Sequence, residues 1–237
     1  MRRETISWML GDAQIYASLD SASNSGHTSS AILIVSGGNE IRSGSHGSQA
    51  QLSEHLCNAG YNVLRYDRRG IGDSEGENKG FAESGDDMRY AVDFLRQKFG
   101  EDVKIIAIGN CDAACALLTE HRHLHLGQLI LTNPWTIDDA PDEPCEAAAT
   151  PNAAAIRARY WARIKNPRSI IDLLSGKIDL KKLIGGLSKA RQKPQLSKLS
   201  TAMAQTLSVI EVPTHILLAK RDTTCLLYTS PSPRDRG

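Results

Sequence analysis

Between Val103 and Cys115 the apolar run Val103-Lys104-Ile105-Ile106-Ala107-Ile108 meets Gly109-Asn110-Cys111-Asp112-Ala113-Ala114-Cys115 with no room for a loop. A β-branched run of this kind reads as a buried strand, while the residues from Ala113 onward favour helix. The chain must therefore pass from strand to helix within one tight turn. Such a turn admits only small residues two before and two after its apex, because the two backbones pass close together there. Gly109 and Ala113 hold those places, and Cys111 is the apex. The turn lifts the thiol above the end of a sheet and sets it at the start of a helix, whose unpaired N–H groups and dipole favour thiolate. This is a nucleophile elbow with cysteine in the place of serine. A buried structural cysteine after a core strand fits the same pentapeptide, so the surroundings decide.

Those surroundings alternate. After two N-terminal strands near Thr5–Leu10 and Gln14–Ser18, strands are expected at Ala31–Val35, Asn62–Tyr66, Val103–Ile108, Gln128–Leu131 and Thr214–Leu218. Helices are expected between them at Ser48–Ala59, Ser84–Phe99 and Ala113–Glu120. That order builds an α/β chain, a mostly parallel sheet with helices on both faces. Ligands in such sheets bind beyond the carboxyl ends of the strands. The loops that matter are then Ser36–His46, Asp67–Gly76, Gly109–Asp112 and the segment from Asn133.

Residues 136–212 interrupt the alternation for too long to be a simple connection, and a helical lid insertion is expected there. Thr136–Thr150 carries Asp138, Asp139, Asp142, Glu143 and Glu146 with no base, whereas Pro151–Ser200 carries twelve Lys and Arg against Asp172 and Asp179. The basic stretch suits contact with an anionic lipid or polyanionic substrate, but its pattern suits the solvated outer faces of lid helices better. Domain expectations are thus a core over 1–135, a lid over 136–212 and a return to the core over 213–224.

The last residues differ. Cys225-Leu226-Leu227-Tyr228-Thr229-Ser230-Pro231-Ser232-Pro233-Arg234-Asp235 resembles a translated sequencing adapter more than any protein element. Residues 225–237 are therefore expected to be non-native, with the gene continuing past Thr224. The chain's net charge is +1, and leaving out Arg234, Asp235 and Arg236 brings it to zero, which points to no nucleic-acid partner. No apolar window approaches the length of a membrane span, and Cys57, Cys111, Cys115 and Cys145 form no Cys-x-x-Cys pair or disulfide framework. A cytoplasmic protein is expected.

Further motifs are Val35-Ser36-Gly37-Gly38 with Arg42-Ser43-Gly44-Ser45-His46, then Leu64-Arg65-Tyr66-Asp67-Arg68-Arg69-Gly70-Ile71-Gly72-Asp73-Ser74-Glu75-Gly76, and Leu131-Thr132-Asn133-Pro134-Trp135. The long string is no phosphate loop, since no Gly-Lys-Ser/Thr follows it. Together with the elbow, these motifs resemble the α/β hydrolases and, within them, the group called hydrolase 1 of the exosortase A system, over about residues 30–222.

The resemblance implies the α/β-hydrolase fold and a nucleophile, acid and histidine in that chain order. Cys111 takes the first place and Asp222 the second, with Asp138 or Asp139 as the fallback acid. The histidine, with a last strand and helix, is expected beyond Thr224, which would leave the chain as written inactive. An oxyanion hole is expected from the backbone N–H of Asp112 and that of Gly38 or Asn39. His46 reads as a substrate- or loop-orienting residue. His121, His123 and His125 should lie after the elbow helix, facing the opposite edge; a solvated or packing role suits them better than a metal site. No metal or cofactor is implied.

The expected activity is acyl hydrolysis or acyl transfer on an ester, thioester or amide by a cysteine nucleophile, with a small-molecule or acylated substrate and a link to exopolysaccharide systems. The alternative is a non-catalytic hydrolase-fold accessory protein in exopolysaccharide or cell-surface assembly. A weaker third reading makes Cys111 and Cys115 a redox pair.

Overall fold

In the computed structural model seven strands among the described residues form one sheet, in the spatial order β1 (Arg2–Leu10), β2 (Ala13–Ser21), β4 (Asn62–Tyr66), β3 (Ser30–Val35), β5 (Lys104–Asn110), β6 (Gln128–Thr132) and β7 (Thr214–Leu217). The structure describes residues 1–23, 29–136 and 198–219. Outside them lie most of the expected lid, the acidic and basic stretches, Asp138, Asp139, Asp222, His27 and the tail 225–237.

β1 and β2 form an antiparallel hairpin, β2 lies antiparallel to β4, and β3 to β7 are mutually parallel. β1, at the sheet edge, alternates between exposed and half-buried positions along most of its length. β3 and β4, covered on both faces, are continuously buried apart from half-buried Ser30, as parallel strands between helices must be.

The helices are α1 (Ser48–Asn58), α2 (Gly85–Phe99), α3 (Asp112–Leu124) and α4 (Lys198–Val209). α2 buries Met88, Ala91, Val92 and Leu95, one stripe at helical spacing. α1 contributes Cys57 to a core cluster with Ile32, Ile34 and Val63. Because successive strand residues point to opposite faces, Leu33 faces the other layer, where α2 packs on β3 and β4 and against α3. The expected arrangement, a mostly parallel sheet with helices on both faces, is the one observed.

Several boundaries move: β2 runs on to Ser21 rather than Ser18 and β5 to Asn110 rather than Ile108. β1 starts at Arg2 rather than Thr5, because the hairpin register continues to Arg2 opposite Ser21. α3 runs to Leu124 rather than Glu120: Leu124 and His121 are buried, and the His121 ring bonds through Nδ1 to the Leu118 carbonyl at 2.7 Å. His121 and His123 thus sit in the last turn of the helix and not after it.

The chain divides into two compact units. One, Met1–Trp135 with Met203–Leu217, holds the whole sheet. Of the other, Thr136–Ala202 with Leu218–Gly237, the structure describes Thr136, the helical residues 198–202, Leu218 and Ala219. Among the described residues no helix is long and apolar enough to cross a membrane.

Strand order fixes where a ligand site belongs. From β3 the chain crosses to β4 on one side, then returns past β3 to β5 on the other. The order reverses there, and the carboxyl ends of β3 and β5 are where sheets of this kind place their ligand crevice.

Candidate active site

Cys111 stands at that crevice, immediately after β5 and as the N-cap of α3. Its backbone is at φ 59°, ψ −123°, a conformation that side chains rarely adopt and that costs about 1–3 kcal/mol. Neighbouring groups hold it there. The Cys111 N–H donates to the Thr132 carbonyl at 3.0 Å, and the Trp135 N–H donates to the Cys111 carbonyl at 3.1 Å. Thr132 Oγ1 in turn donates to the Gly109 carbonyl at 3.1 Å. The Leu131–Trp135 motif therefore serves the elbow directly by bracing its backbone from β6 and the loop after it.

The glycine two before the apex has a steric reason. A Cβ at Gly109 would stand 2.8 Å from Leu117 Cδ1 and 2.9 Å from both the carbonyl carbon and oxygen of Ala113. Gly109→Ala is accordingly expected to cost about 1–3 kcal/mol of unfolding free energy, since backbone must move to admit the methyl. A urea titration checks this; an unchanged midpoint would mean that strand and helix separate freely.

The loop after β3 supplies the facing wall. Gly38, at φ 54°, donates its N–H to Asp112 Oδ1 at 2.6 Å. A Cβ on Gly37 would stand 2.3 Å from the Asn110 carbonyl oxygen and 2.7 Å from the same Asp112 oxygen. The structure thus brings Cys111, Asp112 and Gly38 together. It also shows the Gly38 N–H, expected to point at a substrate oxygen, bonded to the side chain of Asp112.

His46 is exposed, at φ 54°, and its Nδ1 bonds to Ser45 Oγ at 3.0 Å within its own loop. His121, His123 and His125 lie at the far end of α3, roughly 18 Å of helix from Cys111. Among the described residues no group of three or more His, Cys, Asp or Glu could hold a metal ion. Asp222 lies outside the described residues.

Cys115 is fully buried, its Sγ 2.7 Å from the Trp135 carbonyl. Burial pushes its thiol up to about 12, so it stays protonated at neutral pH. It is poorly suited to serve as the resolving thiolate of a redox pair.

Reading the sequence alone missed the groups that hold the β3 and β4 loops. Arg68, buried after β4, donates through Nη2 to the Gly38 carbonyl. Arg42 donates its backbone N–H to Asp67 Oδ1 at 2.5 Å and its Nη1 to Asp67 Oδ2, while its Nη2 reaches Asp73 at 2.7 Å. Arg69 grips Asp87 on α2 through Nε at 3.0 Å and Nη2 at 2.9 Å. The one available signal was the density of paired Arg and Asp in the Asp67–Asp73 string.

Fold and elbow together define an α/β hydrolase. Residues 26–230 match the family model for serine aminopeptidase, S33, and the chain belongs to that family, with cysteine at the apex of its elbow. No curated protein matches it by sequence. Among solved structures it is similar to the esterase Pf2001 of Pyrococcus furiosus, at 16% identity and TM-score 0.58, covering 94% of this chain and 72% of that one. It is also similar to the α/β hydrolase GrgF of Penicillium sp. sh18 (14% identity, TM-score 0.59, covering 95% and 82%). A third likeness is to the thioesterase domain of the curacin biosynthetic pathway (15% identity, TM-score 0.55, covering 99% and 87%).

Proposed function

We propose that this hydrolase works by acyl transfer through a cysteine nucleophile, Cys111, on an ester, thioester or amide of a small-molecule or acylated substrate. The observation that carries the reading is the strained backbone of Cys111 at the strand-to-helix apex, held there by Thr132 and Trp135. Strain of this kind persists at reactive positions because the surrounding structure over-determines it. That an esterase and a thioesterase domain share the fold is consistent with the reading.

In the proposed mechanism the Cys111 thiolate attacks the carbonyl carbon, forming a C–S bond as the C=O pair moves onto oxygen. The N–H groups of Asp112 and Gly38 receive that oxyanion. Its collapse expels the alcohol, thiol or amine, which takes the proton that the general base removed from the Cys111 thiol, and water or another acceptor, deprotonated by the same base, then cleaves the thioester. The base is a histidine, oriented by Asp222. His46 orients the substrate or the loop that carries it. The setting is cytoplasmic, in service of exopolysaccharide assembly linked to an exosortase system.

Acylation is a half-reaction and can be followed alone. Treatment of the full-length protein, with its histidine base, by p-nitrophenyl acetate at neutral pH is expected to add one acetyl group to Cys111, read by intact mass and peptide mapping. No adduct on Cys111, with the fold intact, would favour the non-catalytic accessory reading.

A further inference from the structure

We propose that the carboxylate of Asp112 is an internal occupant of the oxyanion hole, which the substrate's carbonyl oxygen must displace before Cys111 can be acylated. The inference rests on the acyl-transfer reading and adds a residue to it. Oxyanion donors act by pointing at the place where negative charge will develop. In this structure the donor from the β3 loop, the Gly38 N–H, is already bonded to Asp112 Oδ1 at 2.6 Å, a short bond to a charged acceptor.

The contact is built into the loop. Gly37 leaves room for the carboxylate, since a Cβ there would stand 2.7 Å from the same oxygen. On its other side Gly38 is fixed by Arg68, whose Nη2 donates to the Gly38 carbonyl. Gly38 is therefore gripped at its N–H by an anion at the start of α3 and at its C=O by a buried cation after β4. An incoming oxyanion and the Asp112 carboxylate cannot share one N–H, because like charges repel at that distance. Acylation requires the Asp112 side chain to rotate away while Arg68 keeps the loop in place. Asp112 thus contributes in two opposed ways: its backbone N–H belongs to the hole and its side chain closes it.

Two rates on the same thiol separate this from any change in thiol reactivity. Alkylation by iodoacetamide forms an S–C bond and releases iodide with no oxyanion, whereas acylation by p-nitrophenyl acetate needs the hole. Removing a carboxylate beside Cys111 also alters its thiolate fraction, so the ratio of acylation to alkylation, measured at one pH by intact mass, is the readout. Asp112→Ala is expected to raise that ratio about tenfold. Asp112→Asn, the same shape without the charge, is expected to raise it by a smaller factor. An unchanged or lowered ratio in folded Asp112→Ala overturns the proposal; if that variant does not fold, an unchanged ratio in Asp112→Asn does so. If neither wild type nor variant is acylated while both are alkylated, the acyl-transfer reading fails, and this proposal with it.

Discussion

Cys111→Ala is expected to lower the rate of acylation by p-nitrophenyl acetate about 10³-fold or more, while the thermal unfolding transition stays cooperative. Little of the core depends on the thiol, since the braces on this residue come from its backbone N–H and C=O and survive the change. The backbone conformation gives a second readout. At φ 59° alanine is as strained as cysteine, whereas glycine adopts this region freely. Cys111→Gly is therefore expected to be more stable than Cys111→Ala by about 1 kcal/mol, although equally inert. Undiminished labelling of either variant would remove Cys111 from the mechanism. Equal stability of the two would mean that the elbow stores no strain.

Asp20→Ala should produce the largest loss of stability, about 3–5 kcal/mol by urea unfolding, without touching the crevice. Asp20 lies on β2 with no exposed surface and accepts from Arg3 Nε at 2.5 Å, Ser53 Oγ at 2.5 Å and Arg65 Nη2 at 2.8 Å. Arg65 is itself 2% exposed, and its Nε has no hydrogen-bond partner. Removing Asp20 leaves that guanidinium buried with no counter-charge.

The same cluster sets an acid limit. Burial alone would raise the Asp20 carboxyl, but the bonds from Arg3, Ser53 and Arg65 outweigh it and hold it below its ordinary value of 3.8. A carboxyl lowered by folding contributes its full stabilisation above the unfolded value and loses it as pH falls through the folded one. Stability should accordingly fall below about pH 3.8, and Asp20→Asn should remove that part of the pH dependence. A wild-type acid limb identical to that of Asp20→Asn would show that the carboxylate is unpaired in solution.

Much of this molecule could be read from its residues because the relevant physics is local. β3 and β4 are short apolar runs covered on both faces, and the Gly109–Ala113 spacing is demanded by the approach of α3 to β5. Where the reading fell short, distance along the chain was the cause. Asp20 and Arg65 look like polar breaks within β2 and β4, and only the sheet register with Ser53 on α1 reveals them as partners. The Asp112 side chain finds an N–H some seventy residues earlier, so the pentapeptide that exposed the apex gave no hint of what its neighbour closes. The end of α3 is hidden in the residues because His121-Arg122-His123 looks like a solvated stop, whereas the His121 ring is buried against its own helix.

The pairing of β6 with β7 also carries a consequence for assembly. β3 and β5 pair across roughly seventy residues that include α1, β4 and α2, and Leu129–Thr132 must find Thr214–Leu217 across roughly eighty. The entropy of bringing such distant stretches of chain together is met most readily when the partner edge already exists. β6 is that edge, and β7, paired across the longest separation in the sheet, is expected to dock last. The elbow, braced by Thr132 and Trp135, belongs to the part of the sheet that is complete before that event.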